Sequence, residues 1–262
     1  MQHEQSTINQ CMHWLHKRGE TEIDGFEFRK LPRIGRGNEA VRRAALTGEE
    51  YEKLCTAMRV YCNGKKGELD TVVRLQRQLV QCYVFVEATS GLRVREQPQL
   101  RWSDVGIETH MDKQAKPIPL ARIHVRAETS KVRRSRILLC RSAEYFEAWR
   151  RLVRHQSSDA LIFSVDGTSA ITKRALLYHF KHMIESAMTR DLATRDVIPY
   201  SLRHYMITQR IMSGLDFLAI ADMCGTSITQ IERTYYHLND TIRLTNAVAD
   251  YRVDSDGTIR AV

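Results

Sequence analysis

Five short segments hold the side chains best suited to chemistry. Gly91-Leu92-Arg93 sets an arginine just past a glycine, and Ser130-Lys131 puts a lysine in a basic turn. Tyr200-Ser201-Leu202-Arg203-His204 adds a second arginine, Gly225-Thr226-Ser227 offers two hydroxyls, and Thr234-Tyr235-Tyr236-His237 supplies two phenols. Breaking a phosphodiester without a metal draws on this mix. Arginine donates two hydrogen bonds to one phosphate and never loses its charge. Lysine can protonate a leaving oxygen where crowded cations lower its pKa. A tyrosine phenol can attack phosphorus and leave again, so the bond energy is kept.

Taken singly, each residue has a plainer reading. Arg93 and Arg203 would be surface ion-pair arginines, Lys131 a turn lysine and Glu96 a local cap. Tyr235 shares a helical face with Ile228 and Ile231, which reads as core. His179 and His182 have metal-compatible spacing but no further ligands, so an exposed pair is expected. Trp14, Trp102 and Trp149 read as packing residues. Six scattered cysteines without a CxxC pair read as free thiols, buried or partly buried, and imply no zinc.

Composition narrows the partners. The 262 residues carry a net charge of +9 and 43% hydrophobic content, enough for a full core. No apolar run is long enough to span a bilayer, and the amino terminus lacks a signal-like apolar stretch, so a cytoplasmic protein is expected. Between Arg122 and Arg154 ten Lys or Arg face three Glu. Such a one-sided run favours a polyanionic partner.

The elements that must position these residues are mostly helical. Ile8 to Gly19 has an amphipathic pattern, and a polar basic stretch, residues 20–45, reads as a linker. T-G-E-E at Thr47 is a capping box that opens a helix, and a second helix runs from about Leu69 to Thr89, ended by Gly91. Ala121 to Ala127 alternates like a strand and pairs with Ile137-Leu138-Leu139 across the basic turn Ser130 to Ser135. Helices follow at Ala143–His155 and Ile171–Met188. Three more start at Ser201, at Asp216 and at the S-x-x-Q capping box of Ser227 and Gln230.

The ordered segments resemble those of tyrosine recombinases, the phage-integrase family. Gly91-Leu92-Arg93-Val94-Arg95-Glu96 followed by Leu100-Arg101-Trp102-Ser103-Asp104 resembles that family's first arginine motif. The resemblance implies that Arg93 is the first catalytic arginine and Glu96 its supporting carboxylate. It makes Lys131 the catalytic lysine on a hairpin, Arg203 the second arginine and Tyr235 the nucleophile. It covers residues 47–239 and implies a mainly α catalytic fold with a small antiparallel hairpin. No cofactor is implied.

Two positions depart from the family pattern: Tyr200 stands where histidine is usual, and Thr226 where histidine or tryptophan is usual. Their hydroxyls can donate to a phosphate oxygen but are poor bases near neutral pH. His204 and His237 are the substitutes. Arg133, Arg134 and Arg136 are expected to face DNA. The resemblance further implies duplex DNA as partner, a tetramer on two sites and accessory DNA-bending proteins. Residues 1–19 resemble the last helix of a truncated core-binding domain, 46–239 the catalytic domain, and 240–262 a tail that packs on a neighbouring protomer. Two alternatives stay open: a remnant that no longer cuts, and a helix-turn-helix regulator reading DNA through Leu218 to Arg233.

Overall fold

The structure is a computed structural model describing residues 2–28, 46–64, 70–112, 114–186 and 197–235, with the backbone of 251–253 and 259–261. The chain divides into two units, Met1–Arg42 and Arg43–Val262. In the first, helix α1 (Gln2–Lys17) begins six residues before the expected start, because its polar first turns carry no apolar period. Residues 20–28, expected to begin a linker, turn back along α1. The Asn9 amide donates to the Phe26 carbonyl at 3.0 Å and accepts from its N–H at 2.8 Å. Asp24 bonds His13 in the same way of holding the return segment. Trp14, expected to pack, is 54% exposed, with the Arg18 guanidinium 4.5 Å above its ring.

In the second unit, α2 (Gly48–Asn63) opens with the expected capping box. The Thr47 hydroxyl accepts from the Glu50 N–H, and the Glu50 carboxylate accepts from the Thr47 N–H at 2.7 Å. Helix α3 (Thr71–Ser90) is capped by Asp70 and buried on several sides, as a central helix should be. It ends at Gly91, whose φ of +63° is left-handed and whose N–H bonds the Glu87 carbonyl at 2.9 Å. A Cβ there would strike the Met206 side chain. Gly91→Ala should therefore lose about 2 to 3 kcal/mol, from the left-handed backbone and the collision together. Thermal melts should fall by roughly 4 to 12 °C; an unchanged melt would mean that the turn relaxes freely.

Short 3₁₀ turns at Gln97–Gln99 and Trp102–Asp104 lead into a three-stranded antiparallel sheet in the order β1 (Val105–Met111), β2 (Pro117–Val125), β3 (Arg136–Cys140). The sequence reading expected only the β2–β3 hairpin. Strand β1 escaped it because it is an edge strand, exposed from Gly106 onward, and shows little apolar alternation. Ile123 lies opposite Val105 on one side and Leu138 on the other, so one face is buried. Helices α4 (Ala143–Leu152) and α5 (Lys173–Ser186) complete the main core, with Trp149 donating to the Ile162 carbonyl at 2.7 Å. Helix α4 ends three residues before the expected His155 and α5 starts two after the expected Ile171, while the expected end of α5 at Met188 lies outside the described residues. His179 is buried and bonded to the Tyr61 hydroxyl at 2.9 Å, and His182 is half-buried, which corrects the expectation of an exposed pair.

Helices α6 (Pro199–Met212), α7 (Phe217–Cys224) and α8 (Ile228–Tyr235) follow. Asp216 caps α7 by accepting from the N–H groups of Leu218 and Ala219. The expected Ser227 box is only half made: its hydroxyl accepts from the Gln230 N–H, but the Gln230 side chain turns to Thr234. These helices share a smaller core of their own, including Met206, Ile211, Ile220, Cys224, Ile231 and Tyr235. Strands β4 (Tyr251–Val253) and β5 (Ile259–Ala261) pair with each other as a separate ribbon. All six cysteines are free thiols, and Cys11 alone is exposed. No helix among the described residues is long and apolar enough to cross a membrane.

Candidate active site

The Gly91 turn sends Leu92 into the core and Arg93 toward the surface. Glu96 then fixes Arg93 twice, accepting from its backbone N–H at 3.0 Å and from Nη1 at 3.1 Å. The third contact of Arg93 is with the Gly225 carbonyl. Glu96 itself is 1% exposed. Burial alone would raise its pKa, but the hydrogen bonds and charge of Arg136, with help from Arg93, hold the carboxyl below its usual value.

Arg136, expected to face DNA, is not a free surface cation; its side chain is 8% exposed. Its two terminal nitrogens clamp the two Glu96 oxygens at 3.0 and 2.7 Å, and Nε donates to the Met223 carbonyl at 3.2 Å. A buried carboxylate demands such a partner, and this demand turns Arg136 inward.

Arg203, on α6, is 4% exposed and donates to the Gly91 carbonyl and, at 2.9 Å, to that of Cys224. Both arginines thus hold the corner at the end of α7. Gly225 sits there with φ +60°, and a Cβ on it would lie 2.6 Å from Arg136 Nη1. Only glycine lets the corner close over these guanidinium groups.

A cavity of about 970 Å³ opens beside this corner. Arg93, Lys131, Arg134, Arg136, Tyr200, Arg203 and Thr226 line it, so the two expected arginines, the lysine and both substituted hydroxyl residues meet in one place. Five cations face a single carboxylate, Asp222. Arg133 is exposed at the tip of the hairpin turn with φ +51° and is not part of the lining. Gln230, Ser227 and Asp222 also line the cavity. The sequence marks Ser227 as a cap and a candidate hydroxyl and Gln230 as a cap, and places both, with Asp222, inside the helix-turn-helix alternative; none of the three is singled out as a pocket residue.

Tyr235 is not part of the lining. It is 6% exposed in the smaller core, and its hydroxyl bonds His204 Nδ1 at 2.7 Å. Burial raises the phenol pKa strongly, against the pull of Arg203, so the group is a neutral phenol. The His204 ring lies between the two tyrosines, 5.0 Å from Tyr200 and 5.8 Å from Tyr235. His237 lies outside the described residues, as does Tyr236.

The family model described as "Phage integrase family" matches residues 45–241. The chain belongs to the phage integrase family. Solved structures of low identity share its fold. XerH site-specific recombinase bound to palindromic difH substrate superposes with a TM-score of 0.60 at 16% identity, over 90% of this chain and 63% of that one. XerA recombinase gives 0.52 at 18% identity, covering 91% and 73%. A lambda integrase dimer bound to a COC′ core site gives 0.50 at 13%, covering 88% and 57%. This phage integrase family chain thus spans less than two thirds of the XerH chain that it matches. No curated protein sequence matches it significantly. Among the described residues of this family member, no group of three or more His, Cys, Asp or Glu could hold a metal ion.

Proposed function

We propose that the chain cleaves and rejoins duplex DNA at a specific site through a covalent 3′-phosphotyrosine on Tyr235. The observation that carries the reading is the shared pocket: Arg93 and Arg203, from distant parts of the chain, line it together with Lys131, Tyr200 and Thr226. The Tyr235 oxygen attacks phosphorus, the P–O5′ bond breaks, and Lys131 gives its proton to the leaving 5′ oxygen. The arginines stabilise the charge that builds on the non-bridging oxygens, and the Tyr200 and Thr226 hydroxyls donate beside them. His204, whose Nδ1 already bonds the Tyr235 hydroxyl, supports removal of the phenol proton. Cleavage requires α8 to release Tyr235 from the smaller core toward the pocket. Only Ile231 and Tyr235 of that helix are fully buried.

In this reading residues 1–19 are the end of a core-binding domain, 20–45 a basic linker and 46–239 the catalytic domain. Residues 240–262 pack on a neighbouring protomer. Four protomers act on two duplexes, with accessory DNA-bending proteins where the site needs them. The test is a nicked suicide duplex carrying the site, supplied with any missing amino-terminal domain. The protein should be trapped on the 3′ end. Retained duplex binding without an adduct would favour a non-cleaving DNA-binding protein, a reading that the burial of Tyr235 also supports.

Duplex binding should weaken steeply with salt, since bound phosphates displace counterions. Arg133→Ala with Arg134→Ala, both exposed on the hairpin turn, should lower the log–log slope by about 2. Titrations at several salt concentrations would show it; an unchanged slope would remove the turn from the DNA contact.

A further inference from the structure

One ionisable group behind the pocket is unused by the chemistry above. Glu87, on α3, has no exposed surface, and neither carboxyl oxygen has a hydrogen-bond partner among the described residues. The Tyr83 hydroxyl, one helical turn earlier on α3, is buried and without a hydrogen-bond partner among the described residues as well. The Glu87 carbonyl receives the Gly91 N–H, and the Gly91 carbonyl receives Arg203. Glu87 is thus one helical turn from the arginine's anchor, and Arg203 is the charge that acts on it.

An unpaired carboxylate in such a place is far costlier than a neutral acid. Burial raises the Glu87 pKa well above its usual value, and the attraction of Arg203 only partly opposes this. We propose that Glu87 is a positioning residue for the phosphate pocket: as a neutral acid it leaves Arg203 its full charge, and its ionisation weakens the pocket's hold on an anion. The proposal rests on the reading of that pocket as the seat of a DNA phosphate. Coupling of this kind is reciprocal, so a bound anion in turn keeps Glu87 protonated.

Tyr83 and Arg203 are the charged or titratable groups coupled to it, and His204, next to Arg203 on α6, is common to wild type and variant. Tyr83 of α3 and Cys224 of α7 are both raised by burial, and Glu96 is held low between Arg136 of β3 and Arg93. Arg203 of α6 is an arginine and stays charged. Lys131 and Tyr200 line the pocket itself and are unaltered in Glu87→Gln, which copies the neutral acid in shape.

Sulfate is the probe, because its charge is constant across the range. Calorimetric titration of the whole chain across the pH range in which carbon-13 NMR shows the Glu87 carboxyl ionising should show wild-type affinity falling about tenfold, and that of Glu87→Gln by less than twofold. The two should bind alike below that range. An equal fall in both proteins would overturn the proposal. So would a wild-type chain that binds no sulfate, which would also remove the phosphate-pocket reading. A chain with the expected sulfate response but no covalent adduct would keep the proposal and lose the cleavage reading. Carbon-13 NMR of the wild-type glutamate carboxyls tests it without any variant: Glu87 should titrate well above the other glutamates, and titration near the ordinary glutamate value would overturn it.

Discussion

Tyr235→Phe should abolish covalent capture of a nicked duplex while leaving the fold and duplex binding nearly intact. The change removes one oxygen, the atom that would attack phosphorus, and the loss of adduct should be on the order of 10⁴-fold or more. The ring itself keeps its place beside Ile231 in the smaller core. What the fold loses is the hydrogen bond to His204 Nδ1, about 1 kcal/mol. Tyr236→Phe should retain the adduct. Denaturing gels of protein–DNA complexes give the answer directly, and an adduct that survives Tyr235→Phe would move the nucleophile elsewhere. A matching measurement is the melting temperature of Tyr235→Phe, which should fall by only a few degrees. A collapse of the fold would mean that Tyr235 is first of all a core residue.

The two sides of Tyr235 illustrate what a sequence can disclose. Its periodicity with Ile228 and Ile231 pointed to a buried tyrosine, and its motif pointed to a reactive one. Both signals are local, and burial bore out the first. Whether the phenol reaches the pocket depends on how α8 docks, which no local pattern encodes. Thr47, Gly91, Asp216 and Gly225 were legible for the same reason: a cap or left-handed corner is settled within a few residues. Where a partner lies far along the chain the reading failed. His179 is buried because Tyr61 of another helix meets it, and Arg136 faces inward because Glu96 waits forty residues earlier. Glu87 stood in an apolar helical stretch without drawing notice, since only the packed core shows that its carboxyl has no partner. The convergence of Arg93, Lys131 and Arg203 was expected from the resemblance and not from spacing; each segment alone had an ordinary surface reading.

Glu96→Ala should be among the most damaging single changes in the chain, although Glu96 does not line the pocket. The carboxylate is 1% exposed and binds two guanidinium groups, Arg136 through both oxygens and Arg93 through side chain and backbone. Removing it leaves Arg136 buried without a counter-charge, which should cost about 3 to 5 kcal/mol. Thermal melts should drop by roughly 6 to 20 °C. The sign with pH follows from the depressed Glu96 pKa. The stabilisation is fully present above the ordinary glutamate value of about 4.3 and is lost as pH falls through the lower folded value. Glu96→Gln should therefore melt below wild type at pH 7 and approach it in acid. Glu96→Leu combined with Arg136→Met should recover most of the lost stability, because an apolar pair of similar size can replace a buried ion pair with little penalty. That double variant should still leave Arg93 without its clamp and so form adduct slowly. Restored melting together with full activity would show that Arg93 finds its place without Glu96.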